Sequence, residues 1–197
     1  MLRPTLPLLL LALPLLAARP ASSGPRATLS AVALEVDPRG GPEGAKVTVT
    51  VRDLTGRTPI VVGFGGIGSP HEILGEGVSD EDGLVRVEAE IPSWVEPGRT
   101  YLFYMAYADQ RPVRFADPFL VTEADGTVRV QGTVGTEGSC TTLHMSETEV
   151  FGLTGEAARA LPAGERVGVH ATLAPAATCG GLLTLRVTRA EPMGGPS

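Results

Sequence analysis

The sequence predicts an all-β protein in two parts, a β-sandwich followed by a small β-barrel. Of its 197 residues, 25 are glycine and 17 are proline, which leaves little room for long helices. From Leu29 onward, apolar and polar residues alternate in short runs, and turns rich in glycine, proline and aspartate separate these runs about every ten residues. Charged residues make up 19% of the chain and hydrophobic residues 43%, a composition typical of a folded protein.

Residues 1–23 are predicted to be a secretory signal peptide. Arg3 supplies the positive start, Leu6–Ala18 form a short apolar core, and small residues at 21–23 precede a cleavage site near Gly24. The apolar core is shorter than the roughly 20 residues that cross a membrane, although an uncleaved N-terminal anchor is the alternative. No cysteine lies directly after the apolar core, so we expect no lipid anchor. We therefore expect a secreted or periplasmic protein that has no membrane span after cleavage.

The charge of the mature chain argues against a nucleic-acid partner. Removing residues 1–23 takes away Arg3 and Arg19 and leaves 14 basic and 22 acidic residues, a net charge of −8. Binding to a phosphate backbone depends on clustered lysine and arginine, and neither half of the chain has such a cluster. The chain has a single lysine, Lys46.

Seven alternating segments predict an immunoglobulin-like sandwich within residues 27–122. They are Thr28–Val36, Lys46–Arg52, Pro59–Phe64, Glu72–Val78, Leu84–Ile91, Tyr101–Ala108 and Val113–Val121. Tyr101 opens a segment just after the turn Pro97-Gly98, as in the tyrosine corner of such sandwiches, so its predicted role is structural rather than catalytic.

Five further segments and one short helix predict an OB-like barrel in residues 123–190, after a linker at 123–126. The segments are Thr127–Val134, Thr141–Met145, Glu149–Leu153, Arg166–Leu173 and Leu182–Arg189, with the helix at Gly155–Leu161. A helix between the third and fourth strands is typical of OB folds. Residues 191–197 are expected to form a flexible tail.

Both parts resemble domains of exported bacterial proteins. The runs GPEGAKVTVTV, PIVVGFGG, DGLVRVEAEIPSWVEPGRTYLFYMAY and DPFLVT resemble bacterial Ig-like modules of the fibronectin and transcription-factor-like (TIG) kinds. The runs VRVQGTV, CTTL, VFGLTG, LPAGERVGV and CGGLLTLRV are similar to a small family of exported two-cysteine domains of unknown function. The second resemblance implies an architecture and no activity.

The barrel is small, and its predicted core is thin. Alternation places thirteen side chains inside: Val128, Val130, Val134, Leu143, Met145, Phe151, Leu153, Val167, Val169, Leu173, Leu183, Leu185 and Val187. An export signal implies an oxidising compartment, so Cys140 and Cys179 are predicted to form a disulfide. The two cysteines fall in the loops that border the ligand cleft of OB folds, so a bond between them would close that cleft.

Two alternatives to the disulfide remain open at the level of sequence. Cys140, His144, His170 and Cys179 supply the two thiols and two imidazoles of a nominal zinc set, which would serve a metal-dependent enzyme. The cysteines could also be free reactive thiols. We predict no metal and no cofactor.

The segment Gly63–Gly68 matches the dinucleotide motif G-x-G-x-x-G after an apolar strand. That motif needs a following helix whose N-terminus holds the pyrophosphate, and Gly75 and Gly77 interrupt the residues that would form one. We therefore interpret the segment as a glycine-rich loop of the sandwich.

The segment Ser79–Gly83 concentrates three carboxylates in a turn. It is interpreted as a hairpin turn with solvated acids, and extracellular calcium binding is the alternative. The chain has neither G-x-S-x-G nor H-E-x-x-H, so no catalytic residue is assigned.

Eight of the nine aromatic residues lie in the first part of the chain, and Trp94 and Tyr104 are the candidates for an exposed ligand platform. The sequence thus predicts an exported, non-catalytic binding or structural module that binds a protein or another envelope partner. A carbohydrate-binding accessory domain is the alternative.

Overall fold

The computed structural model describes residues 32–66, 70–107, 114–175 and 179–194, all within one compact unit of residues 31–197. The predicted signal peptide lies outside the described residues. These residues form fourteen strands and one short helix, which confirms the all-β class. No helix among them is long and apolar enough to cross a membrane.

Nine strands form two stacked sheets. They are β1 (Ala33–Asp37), β2 (Gly40–Gly41), β3 (Lys46–Arg52), β4 (Pro59–Gly65), β5 (His71–Val78), β6 (Val85–Glu90), β7 (Thr100–Tyr107), β8 (Arg114–Phe115) and β9 (Phe119–Val121). One sheet has the order β1-β3-β6, and the other has the order β2-β9-β7-β4-β5, with β8 paired to β7. Alternate residues of each strand point into a shared core that includes Val49, Val51, Phe64, Phe103 and Met105.

Two elements differ from the predicted strands. The predicted strand Val113–Val121 is split into β8 and β9, and Pro118, which has no N–H to donate to a ladder, lies between them. Gly40 and Gly41, which lie between two predicted strands, form β2 and pair in parallel with β9. Without side chains, these glycines let β2 approach the neighbouring strand closely, since a Cβ on Gly40 would lie 2.7 Å from the Leu120 carbonyl oxygen.

Tyr101 has the structural role that the sequence predicts. Its side chain is buried, and its ring stacks on Phe64 at a centroid distance of 5.2 Å. The phenolic oxygen accepts a hydrogen bond of 3.1 Å from the backbone N–H of Glu96, five residues upstream. This bond fixes the turn through which the chain enters β7.

The remaining five strands form a closed barrel in the order β10-β11-β12-β14-β13. They are β10 (Thr127–Glu137), β11 (Cys140–His144), β12 (Val150–Thr154), β13 (Arg166–Leu173) and β14 (Thr184–Pro192), with helix α1 (Glu156–Arg159) after β12. Neighbouring strands are antiparallel except β12 and β14, which are parallel. β14 reaches Pro192, and the Met193 N–H donates to the Arg166 carbonyl, so the first residues of the predicted tail belong to the barrel.

The barrel core confirms the alternation argument. All thirteen predicted side chains belong to one cluster, and of these thirteen only Met145 and Leu173 are partly exposed. Three buried members were not predicted: Ala158 from the helix, Ala171 from β13 and Leu120 from β9. Leu120 comes from the sandwich and is fully buried against the barrel.

Strand β9 therefore supplies both cores. Phe119 and Val121 point into the sandwich, while Leu120, between them, points into the barrel. A polar contact adds to this junction, because the Thr100 hydroxyl donates a hydrogen bond of 2.5 Å to the carboxylate of Glu149. The two predicted domains are thus packed against each other and not merely tethered.

The linker at 123–126 is an ordered tight turn. The Glu123 N–H donates to the Thr127 carbonyl, and the Gly126 N–H donates to the Glu123 carbonyl. The Asp125 carboxylate accepts bonds of 2.6 Å from the Thr127 hydroxyl and 2.9 Å from the Thr127 N–H. These bonds, the hydroxyl bond foremost, favour the ionised form and lower the pKa of Asp125 below its usual value.

We expect Leu120→Ala to lower the free energy of unfolding by about 2–5 kcal/mol, because it removes a buried side chain from the junction. Urea denaturation of the variant and the wild type measures the loss. The control is Val78→Ala, at an exposed position where the change should be about 0.5 kcal/mol or less. Equal, small losses for both variants would show that the two parts do not depend on this contact.

Candidate functional site

The outer face of the six-stranded sheet is apolar. Seven apolar side chains face away from the sandwich core and do not enter the barrel, and we call this set the apolar face: Val61, Ile73, Val78, Leu102, Tyr104, Ala106 and Phe115. The strand registers align these residues across β5, β4, β7 and β8. Among the ionisable residues that share this side, Glu76 is a carboxylate and His71 is an imidazole.

The apolar face carries large hydrophobic side chains that are exposed to solvent. Ile73, Val78 and Phe115 are 59%, 61% and 53% exposed, and they are the large hydrophobic residues classed as exposed in the described part of the chain. All three lie on the apolar face. Contiguous exposed apolar surface is uncommon on monomers and marks a place of interaction.

The outer face of the other sheet is polar. Glu35, Thr50 and Arg86 form one cross-strand row, and Asp37, Thr48 and Glu88 form the next. Lys46, the single lysine, is exposed on the same side. The two outer surfaces of the sandwich therefore differ in character, although both sheets bury a similar apolar inner face.

Two glycines shape the apolar face. Tyr104 lies over Gly63, where a Cβ would come within 2.1 Å of the tyrosine ring. His71 lies over Gly65 in the same way, with its ring 2.4 Å from the Cβ position. The interpretation of these glycines as a loop is wrong: both belong to β4, and they are small because rings from the neighbouring strands cover them.

Three rings follow one another across the sheet. The ring centroids of His71 and Tyr104 are 6.0 Å apart, and those of Tyr104 and Phe115 are 6.2 Å apart. Because β5, β7 and β8 contribute one ring each, the row runs across the strands.

Trp94 and Tyr104, the candidate platform residues, are not brought together. Trp94 is half-buried and packs on the sandwich core, with its ring 5.6 Å from Tyr101 and 5.9 Å from Phe64. Its indole N–H donates a 2.8 Å hydrogen bond to Glu72. Tyr104 is half-buried on the apolar face. The sequence thus predicted one residue of this face, Tyr104, and missed Ile73, Val78 and Phe115. These three are apolar residues at outward-facing strand positions, where alternation predicts polar residues.

Cys140 and Cys179 form the predicted disulfide, with Cα atoms 5.7 Å apart. The bridge joins β11 to the segment before β14 and lies outside the barrel, over Gly152 of β12. A Cβ on Gly152 would be 2.7 Å from the Cys179 Cβ and 3.0 Å from its sulfur. The bridge thus depends on glycine at this position.

The nominal zinc set does not assemble, since both sulfurs are bonded to each other. His144 pairs with Thr133 and His170 with Arg129, so the histidines flank β10 four residues apart, about 13 Å along a strand. His144 lies over Gly135, and its Nε2 is 3.0 Å from the Thr142 hydroxyl. No group of three or more metal-ligating side chains occurs among the described residues.

The acidic turn 79–83 is organised by its own hydrogen bonds. The Asp80 carboxylate accepts from the N–H groups of Asp82 at 3.0 Å and Leu84 at 2.8 Å. Glu81 pairs with Arg57 at 3.1 Å. Ser79 is buried, and its hydroxyl donates to the Thr55 carbonyl. These bonds account for the acidic residues as parts of a hairpin turn.

A cleft of about 650 Å³ lies at the junction of sandwich and barrel. It is lined by residues 36–42 on one side and by 172–175 and 182–184 on the other. Arg39 lines it, and its guanidinium contacts Asp117 at 3.3 Å. The Nε of Arg39 is buried without a hydrogen bond in the described structure.

No protein-family model and no curated protein matches the chain. Among solved structures, macromomycin aligns over its whole length with 47% of this chain, at 18% sequence identity and a TM-score of 0.39. We draw no conclusion about fold or function from a similarity of this size.

Replacing both cysteines by serine should lower the free energy of unfolding by about 3–4 kcal/mol, because the bridge closes a loop of 39 residues. Urea denaturation of the oxidised wild type and the double variant measures the difference. A loss below about 1 kcal/mol would show that the barrel core suffices without the bridge.

Gly152→Ala should destabilise the protein by about 1–3 kcal/mol, because the added methyl group overlaps the Cys179 side chain. Gly168→Ala is the matched control: Gly168 also lies in a barrel strand, but the nearest atom to its Cβ position is 3.9 Å away. Thermal and urea unfolding compare the two. Equal effects would contradict close packing of the bridge on β12.

Proposed function

We propose that this chain is an exported, non-catalytic binding module of the bacterial cell envelope that binds a protein partner through the apolar face. The observation that carries the proposal is the grouping of Ile73, Val78 and Phe115 on one outer surface. Burying these side chains against a partner would remove apolar area from water, at about 25 cal/mol per Å². Among the described residues Glu76 is the one carboxylate on this surface, so few of their charges would lose hydration.

The export assignment rests on the predicted signal peptide at residues 1–23. A disulfide between Cys140 and Cys179 fits an oxidising compartment such as the periplasm or the cell exterior. The non-catalytic assignment rests on the sequence, which has neither G-x-S-x-G nor H-E-x-x-H.

We assign the two parts to an immunoglobulin-like sandwich and an OB-like barrel. The first assignment is supported by the two-sheet arrangement and by the Tyr101 hydroxyl that bonds back to Glu96. The second is supported by the strand order first-second-third-fifth-fourth and by a helix between the third and fourth strands. In such a barrel the disulfide would cover the loops that usually border the ligand cleft.

The barrel accordingly has a supporting role in this proposal. Its one aromatic residue, Phe151, is 1% exposed, so it offers no stacking surface for single-stranded nucleic acid. The net negative charge of the chain points the same way.

The proposal is tested by placing a photo-crosslinking residue at Phe115 or Ile73 of the full exported chain in its native host. A matched control at Glu88 lies on the polar outer face of the other sheet. We expect a discrete crosslinked protein from the first two positions and none from Glu88. Crosslinks that are absent, or equal from both sides, would contradict the proposal.

The double variant Ile73→Ser and Phe115→Ser should weaken crosslinking from Val78 by about ten-fold or more, because it removes apolar contact area. Its free energy of unfolding should stay within about 0.5 kcal/mol of the wild type, since both side chains are exposed. If the variant is folded and crosslinking from Val78 is unchanged, the apolar face is not the binding surface.

Carbohydrate binding is the second candidate, favoured by the row of rings His71, Tyr104 and Phe115. A co-sedimentation assay with purified envelope polysaccharide tests it, with Tyr104→Ala as the variant. Saturable binding that Tyr104→Ala removes, without any protein crosslink, would favour this candidate.

A further inference from the structure

Strand β5 lies at one end of the six-stranded sheet. In the described chain it pairs with β4 on one side and with no strand on the other. An unpaired edge presents main-chain N–H and C=O groups at the spacing that another strand can use.

The edge of β5 adjoins the apolar face, whereas the edge of β6 does not. β6 is also an end strand, but its outward side chains Arg86, Glu88 and Glu90 are charged and exposed. β5 instead presents Ile73 and Val78, both exposed, and contains neither lysine nor proline. Lysine and proline are the residues that usually protect an edge from pairing.

The regular part of this edge is Gly75–Val78. The register with β4 shifts between the pairs Val62↔Gly75 and Gly63↔Ile73, which leaves Leu74 as an extra residue. Beyond this bulge, Glu76 and Val78 face outward with the apolar face, whereas Gly75 and Gly77 face the valines of β6.

The charge near this edge is acidic. Glu76 is exposed and has no ion pair with a described residue, and Asp80 and Asp82 follow in the next turn. A second copy of this chain would bring one acidic strand against another, which disfavours self-pairing. A strand that carries lysine or arginine would instead place a basic side chain opposite Glu76, with the two Cβ atoms about 5 Å apart.

We propose that β5 accepts an added strand from the protein partner, formed by an extended segment that carries an apolar and a basic residue two positions apart, on the same face of the strand. Main-chain hydrogen bonds would form along Gly75–Val78. The partner's apolar side chains would continue the apolar face beside Val78, and a basic side chain would pair with Glu76. This inference rests on the proposed function and specifies how the partner is bound.

The test is amide hydrogen exchange of the full exported chain in the presence of a short capped peptide. Every second residue of the peptide is in turn valine and lysine, with threonine between them, so that valine and lysine share one face of the added strand. We expect exchange in the β5 segment to slow about ten-fold or more, while exchange in β6 stays unchanged. A peptide with glutamate in place of lysine should bind at least about ten-fold more weakly. Glu76→Lys should reverse this preference, and the control Glu88→Lys should not.

Several outcomes would overturn the inference: equal slowing in β5 and β6, peptide binding without slowing in β5, or a preference that Glu76→Lys leaves unchanged. If amide exchange in β5 slows when the protein concentration is raised without any peptide, the edge pairs with a second copy of this chain and the inference is wrong. If Phe115 still crosslinks to a protein but amide exchange in β5 does not slow, the apolar face binds the partner without strand addition, and this inference is wrong. If β5 is protected but no envelope protein crosslinks, the proposed function fails instead.

Discussion

The alternation of three consecutive side chains in β9 holds the two parts of this protein together. Phe119 and Val121 enter the sandwich core, and Leu120 enters the barrel core from the opposite side of the same strand. A strand has two faces, so one short segment can belong to two cores when both of its faces are covered. The orientation of the sandwich relative to the barrel depends on this shared strand, and so does the shape of the cleft that Arg39 lines.

The same geometry explains why an apolar outer surface is unusual here. Most strands of the sandwich follow the rule of one apolar and one polar side, as β6 does with Val85, Val87 and Ala89 inside. β4, β7 and β8 do not follow it, and two glycines allow the rings of Tyr104 and His71 to lie close to the sheet. The result is an apolar surface on the outer side of the sheet, away from the sandwich core.

Alternation and turn chemistry predicted most of the strands, most of the barrel core and the role of Tyr101, and the export signal predicted the disulfide. Local periodicity can be read from neighbouring residues, and two cysteines allow only one pairing, so these features are accessible from the sequence. The binding surface was harder to predict, because Ile73, Val78 and Phe115 resemble core residues until the register shows which side they face. Leu120 was missed as a barrel residue for the same reason, since its neighbours belong to a different core.

The opposite polarity of the two sandwich surfaces also gives the molecule a built-in orientation. Lys46, the one side-chain amine, is exposed on the polar side, away from the apolar face. Chemistry directed at that amine would attach the protein by its hydrophilic back and leave Phe115 and its neighbours turned towards solution. A linker attached to the Lys46 amine therefore lies on the side of the sandwich opposite the apolar face.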